Sequence, residues 1–253
     1  MKQNLLFIAV SLLTGSLLAA PKEDVQNAVK KLSDAGNYSW KTSVQNAGGG
    51  GGGGGGGRGR GGFFGGGPSE GKTSKDGTTI ITSTAGENTF ETVIKGEKSV
   101  IKTQDGWQTM AELMAARGGG GGGGGGQGGG RGGAALMRNR IPAAQAEDLL
   151  GKVKDLKSAD GVYSGDLTEE GAKSLLTFGG GRGGGNGPEI TGAKGSVKFW
   201  LKEGGLAKFE VKVKGTVSFN GNDREIDRTT TIEIKEVGST KVEVPEEAKK
   251  KLS

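Results

Sequence analysis

The chain has no cysteine and no histidine among its 253 residues. No disulfide can staple it, so its order has to come from burial and hydrogen bonding. The same two absences exclude thiol nucleophiles, Ser-His triads, histidine general bases and most zinc or copper sites. Carboxylate-only chemistry such as glycoside hydrolysis survives that exclusion. No spacing of acids marks such a pair, however: Glu169, Glu170, Glu246 and Glu247 fall in first turns of expected helices, where acids partner the helix dipole. The reading is a non-enzyme with no cofactor and no metal. Aromatics are scarce at 5%, and Trp40, Trp107 and Trp200 read as partly buried packing residues ahead of a ligand cleft.

Glycine is abundant instead. Of 55 glycines, about 37 fall in three tracts, 48–67, 118–133 and 179–187, so the remainder of the chain has ordinary usage and forms a domain with inserts. The tracts and their borders carry Arg58, Arg60, Arg117, Arg131, Arg138, Arg140 and Arg182 and no acid. These seven charges exceed the net charge of +6, which therefore belongs to the inserts and leaves the domain near neutral or slightly acidic. Dinucleotide-like and phosphate-loop-like matches inside polyglycine are discounted, because they lack the flanking strand and helix that such sites need. The runs GGGRGRGGFFGGG and GGGQGGGRGG resemble Arg-Gly-Gly segments of nucleic-acid-binding proteins, with Phe63 and Phe64 available to stack. Nucleic acid is nonetheless the disfavoured partner for an exported chain. A disordered, solvated spacer is favoured on chain entropy, and contact of Arg58, Arg60, Arg117, Arg131 and Arg182 with an anionic envelope polymer lies between the two.

Residues 1–20 read as a secretory signal: Lys2, an apolar run from Leu5 to Leu18, then Ala19 and Ala20. The alternative, a membrane anchor, is opposed by the short run and its interruption at Thr14, Gly15 and Ser16. A periplasmic or secreted protein with no stable transmembrane segment is expected, with residues 21–253 as a single α+β domain. No cysteine follows the apolar run, so a lipid-modified N-terminus is not supported.

From Lys22 to Ala35, Val25, Ala28, Val29 and Leu32 recur at helical spacing and Gly36 can end the element. Alternation follows at Tyr38, Trp40, Thr42 and Val44. Short β-favouring runs at Lys72–Lys75, Thr78–Thr84, Thr89–Lys95 and Ser99–Thr103, broken by Asp76-Gly77, Gly96-Glu97 and Asp105-Gly106, predict an antiparallel meander with no room for crossover helices. Helices are predicted at Met110–Ala116, at Pro142–Leu156 with proline at the start, and from Thr168, a candidate cap, through Leu176. Val162–Leu167 predicts a strand. In the last third, Val197, Phe199, Leu201, Phe209, Val211, Val213, Val217 and Phe219 alternate with charged residues. A turn at 220–223, a strand at Thr229–Lys235, a closing strand at Lys241–Val244 and a terminal helix at Glu246–Leu252 complete the pattern of a sheet with one wet face.

The segments GSVKFWLKEGGLAKFEVKVKG (Gly195 to Gly215) and TKVEVPEEAKKKL (Thr240 to Leu252), in this order of elements, resemble the LolA/LppX superfamily of exported carriers. The resemblance spans about Val25 to Leu252 outside the tracts. It implies a curved antiparallel half-barrel covered on one face by helices, with acyl chains held between. The anchoring cysteine of lipoprotein members is missing, and the tracts have no counterpart. The implied function is binding of a lipidic or apolar ligand between sheet and helices. The candidate lining is Phe90, Ile94, Phe199, Leu201, Phe209, Val211, Val213, Phe219, Ile232 and Ile234, which fill a dry core in the alternative reading. A structural or adhesive envelope protein presenting the Arg-Gly loops is the other class.

The tracts should be dispensable for folding, because doubling a loop costs only about 0.6 kcal/mol in closure entropy. A variant with all three cut to a few residues is expected to melt cooperatively at or above the parent temperature by calorimetry. Loss of cooperative unfolding would count against one domain with three inserts.

Overall fold

The computed structural model describes residues 21–47, 68–85, 88–116, 141–176, 188–219 and 222–253. The expected signal segment and the bodies of the three tracts lie outside these. The described elements run α1 (Pro21–Ala35), β1 (Tyr38–Asn46), β2 (Ser69–Thr73), β3 (Thr79–Ala85), β4 (Asn88–Lys95), β5 (Lys98–Thr103), β6 (Gly106–Thr109) and α2 (Met110–Ala116). They continue with α3 (Pro142–Lys152), β7 (Lys157–Ala159), β8 (Val162–Asp166), α4 (Glu169–Leu176), β9 (Glu189–Lys202), β10 (Gly205–Phe219), β11 (Asn222–Lys235) and α5 (Glu246–Leu252). Local signals account for several boundaries. Gly36 turns the chain with φ 68° after α1, Pro142 opens α3, and the Gly171 N–H donates to Thr168 Oγ1 at 3.0 Å, which caps α4 as its sequence predicts.

All eleven described strands join one open antiparallel sheet in the order β6-β5-β4-β3-β2-β1-β11-β10-β9-β8-β7. This matches the expected α+β class with a large antiparallel sheet, an arrangement consistent with a half-barrel. The chain starts in the middle of the sheet at β1, works outward to the β6 edge, then reappears at the opposite β7 edge and works inward to β11. Ten inter-strand spacings at ~4.8 Å put those edges about 48 Å apart along the sheet. Helix α3, which stands between β6 and β7 in sequence, shares a buried cluster with strand residues of one face.

Two predicted elements are corrected. The helix expected over Pro142–Leu156 ends at Lys152, because Val153 bridges to Leu167 and the Lys154 N–H donates to the Asp166 carbonyl at 2.9 Å. The chain is then drawn out alongside β8 as the short strand β7, which its polar sequence does not announce. Lys241–Val244 is not a strand. Both neighbours of β11 are already taken by β1 and β10, and after Lys235 the chain turns off the sheet at Glu236, whose φ is 53°.

The two faces have separate cores. Val25, Val29 and Leu32 of α1, Ala146 and Leu150 of α3 and Ala172 of α4 share one buried cluster with Trp40, Ile81, Ile94, Ile101, Val197, Phe199, Phe209 and Ile232. This is the inner face. On the outer face a smaller cluster joins Val93, Val100 and Trp107 to Ala248 and Leu252 of α5, with Val244 packed against it. Strands β4 and β5 are thus buried on both sides at alternate positions, which gives the continuous buried stretches Thr92-Val93-Ile94 and Val100-Ile101. In β9, Gly192 sits at φ 62° where the strand has an extra residue opposite β10, between the Lys214 and Thr216 pairings. That bulge reverses the side-chain parity, so Ile190 faces inward as Ala193 does.

The strand alternation can be tested at adjacent positions. Phe209 is fully buried, whereas Lys208 lies outward with its ammonium 4.4 Å from the Trp200 ring centroid. Phe209→Asp should destabilise by several kcal/mol, about the cost of burying an unpaired charge. Lys208→Gln should cost no more than about 1 kcal/mol, the worth of an exposed cation–π contact. Urea unfolding of both variants checks this, and equal small effects would contradict the assignment.

Candidate inner-face binding site

Strand pairing fixes which residues share the inner face. Phe209 pairs with Ile232 and Phe199, Val211 with Thr230 and Val197, and Val213 with Arg228 and Gly195. Across β1, Ile234 faces Trp40, Ile232 faces Thr42, and Thr230 faces Val44. Of the predicted lining, Ile94, Phe199, Phe209, Val211, Val213, Ile232 and Ile234 are buried, and Leu201 is partly buried against the same cluster. Phe90 is half-buried on the same face, opposite Ser83. Phe219 closes β10, and its side chain lies outside the described residues, as do Arg58, Arg60, Arg117, Arg131 and Arg182. The Phe199 and Phe209 rings pack at a centroid distance of 6.2 Å.

Helices sit on this face through particular contacts. Tyr38, almost fully buried, accepts the Ala143 N–H at 3.4 Å, which ties the first turn of α3 to β1. The Tyr163 hydroxyl donates to Asp24 of α1 at 3.0 Å. At Gly215 a Cβ would stand 2.7 Å from Leu176 Cδ1 and 3.3 Å from the Ala193 Cα. A side chain there would press on Leu176 and on the β9 backbone, so the glycine leaves room for the end of α4.

The face is segregated by charge. From the register, every Lys, Asp and Glu in the described strands points outward, where many pair: Lys41 with Glu70 at 3.0 Å, Lys102 with Glu91 at 3.7 Å, Lys214 with Glu225 at 3.6 Å and Lys235 with Glu233 at 3.5 Å. In β11 the acids Asp223, Glu225, Asp227 and Glu233 occupy outward positions, while Arg224, Ile226, Arg228, Thr230, Ile232 and Ile234 occupy inward ones. Arg224 and Arg228 are the inner face's strand charges. Arg228 is half-buried, its Nη2 donates to the Leu175 carbonyl of α4 at 3.1 Å, and its buried Nε–H has no acceptor. Burial pushes its pKa down, with no carboxylate paired to it among the described residues.

The sequence reading missed both arginines, since it began the last strand at Thr229. The available signal was Ile226 standing at even spacing from Ile232 and Ile234, which carries the alternation back through DREIDR. A recess of about 640 Å³ lies on the outer side between the Asp76 turn and the segment from Val242 to Leu252. Its cations are engaged, Lys95 with Asp76 at 3.8 Å and Lys249 with Glu246 at 2.5 Å. Asp76 accepts from Ser74 and Thr78, which holds its carboxyl at about 2. That network organises the β2–β3 turn. No group of metal-ligating side chains occurs among the described residues, and no described helix is long and apolar enough to cross a membrane.

No family model matches the chain, and no curated protein matches it in sequence. Among solved structures it is similar to the Mycobacterium tuberculosis lipoprotein LppX, with TM-score 0.45 and 10% identity over 89% of this chain and 98% of that one. It is similar to LprF from Mycobacterium bovis, with TM-score 0.41 and 13% identity over 90% and 97%. A LolA superfamily protein from Nitrosomonas europaea matches with TM-score 0.31 and 8% identity over 88% and 95%. These belong to the group that the sequence pattern resembles. The likeness is one of general arrangement, and the ligand chemistry below rests on the chain's own faces.

Burial raises the Tyr38 phenol from 10.0 to about 12. The neutral phenol is favoured in the folded state, so its stabilising contribution is complete below pH about 10 and is lost as pH rises through about 12. In a Tyr163→Phe variant, where Tyr38 is the remaining tyrosine, tyrosinate absorbance should rise only toward pH 12. A midpoint near 10 in the folded protein would contradict the buried anchor.

Proposed function

We propose that this chain is an exported, non-enzymatic protein that binds a lipidic or apolar ligand between its sheet and helices, with the acyl or apolar portion along the inner face. The observation that carries the reading is the segregation of charge. A sheet face that only had to be covered would need apolar residues where the helices sit. Here the face stays free of Lys, Asp and Glu over all described strands, and it extends past the fully buried centre through half-buried Val44, Ile190, Val217 and Ile226. Apolar surface of this kind, continuous with a core and bordered by polar strand ends, favours an elongated apolar guest at about 25 cal/mol per Å² buried.

The predicted lining divides within this reading. Phe199, Phe209, Ile94 and Ile232 form the floor under the helices, and access to them requires the helices to shift. Val211 and Val213 lie where floor meets margin, and Leu201 marks the opposite end of β9. Export follows from the signal-like N-terminus, and the absence of histidine and cysteine supports binding over catalysis.

Protein purified without detergent should yield lipid on solvent extraction, or take up a fluorophore-labelled stearate methyl ester in a saturable manner. Val217→Asp, which places a charge on the half-buried margin, should reduce that uptake at least about tenfold, given the cost of carrying charge into an apolar site, with little loss of stability by urea unfolding. Absence of both co-purifying lipid and uptake would overturn the reading in favour of a dry core.

A further inference from the structure

The inner face holds one feature that an apolar guest alone does not explain. Burying a cation without a partner is costly, and arginine stays protonated, so it cannot escape the cost by titrating. The outer face of the same strand meets this demand: Lys212 stands 3.8 Å from Asp227 and Lys214 stands 3.6 Å from Glu225. Among the described residues Arg228 meets the Leu175 carbonyl, a neutral acceptor, and its buried Nε–H has no acceptor there. It stands between Val213 on β10 and Asn46 on β1, with no acid on either neighbour at that level. Four residues toward the strand tip, roughly 13 Å along it at the usual rise, Arg224 occupies the same face and is exposed. Ile226, half-buried, lies between the two.

We propose that Arg228 is the anchoring residue for the oxyanion head group of an acyl lipid, a carboxylate or a phosphate, with Arg224 as the outer cation past which that head group enters. The inference rests on the apolar-ligand reading and supplies its polar half. The acyl chain lies on the Val213, Val211 and Ile226 side of the face, and the head group accepts the Nε–H of Arg228. Arginine suits the role because its planar fork engages both oxygens of a carboxylate or phosphate. The acids of β11 are all on the other face, so no carboxylate of its own strand competes for it. The Leu175 bond fixes one edge of the guanidinium and places the anion at the end of α4.

The test uses the full chain and four fluorophore-labelled probes: stearate, its methyl ester, a lysophosphatidate and the corresponding neutral monoacylglycerol. One oxyanion probe is expected to bind at least about tenfold tighter than its neutral counterpart, the ratio for a charge-assisted hydrogen bond of ~1.5 kcal/mol. Whichever probe shows the preference identifies the head group. Arg228→Leu should abolish the preference while retaining the neutral probe, Arg228→Lys should keep part of it, and Lys212→Gln on the outer face should leave it unchanged. If Arg228→Leu does not fold, Arg228→Gln, which retains an N–H donor for Leu175, carries the same comparison. Equal binding of charged and neutral probes by the parent, or a preference that survives in the neutral variants, overturns the assignment while leaving the apolar site intact. Failure of all four probes to bind overturns both.

Discussion

Strands β1 and β11 come from opposite ends of the described chain, yet they are joined by consecutive pairs from Ser39 opposite Lys235 to Asn46 opposite Arg228. Without that junction the sheet would be two separate meanders, β1 to β6 and β7 to β11, each exposing a long inner strand. The junction also places Trp40 against Ile234 and Thr42 against Ile232, which merges the apolar residues of the two meanders into one inner surface. The demand on folding is a pairing of high sequence separation, in which chain closure precedes the reward of contact.

Much of this was legible, and the reason is periodicity. Phe209, Val211 and Val213 against Lys208, Glu210 and Lys212 announce a half-buried strand with its inner side identified, and the structure has that side inward. Val25, Ala28, Val29 and Leu32 gave the buried stripe of α1, and Thr168 its cap on α4. Three features were not legible for one physical reason: they depend on partners remote in sequence. Lys157–Ala159 is polar and exposed, and it is a strand only because β8 runs beside it. Lys241–Val244 has the alternation of a strand but no open neighbour to pair with. The stretch Asp223–Arg228 looks like a charged loop, since its apolar member is a single isoleucine, and its alternation emerges only against β10.

The site divides in the same way. Its apolar floor could be named from the sequence, because hydrophobic residues announce their own burial. Its charge could not. An arginine in an otherwise polar run is normally solvated, and what distinguishes Arg228 is the face it was dealt, the carbonyl of Leu175 above it and the lack of an acid beside it. The charge segregation of β11 is a property of parity, and a shift of one residue in its register with β10 would place both arginines outside and four acids inside.

The order of strands also bears on solubility. An open sheet of this width ends in two unpaired backbones, each able to recruit another chain. Here the terminal positions go to the shortest strands: β6 has four residues and β7 three. Beyond Thr109 the backbone coils directly into α2, and Trp107 is sealed beneath α5. On the far side Lys157 puts a charge on the last strand, and Asp160, at φ 51°, helps turn that strand back tightly into β8. The long, strongly apolar strands that would make persistent aggregates are kept in the interior of the sheet, so lateral growth into fibres finds only short, charged or covered borders to extend.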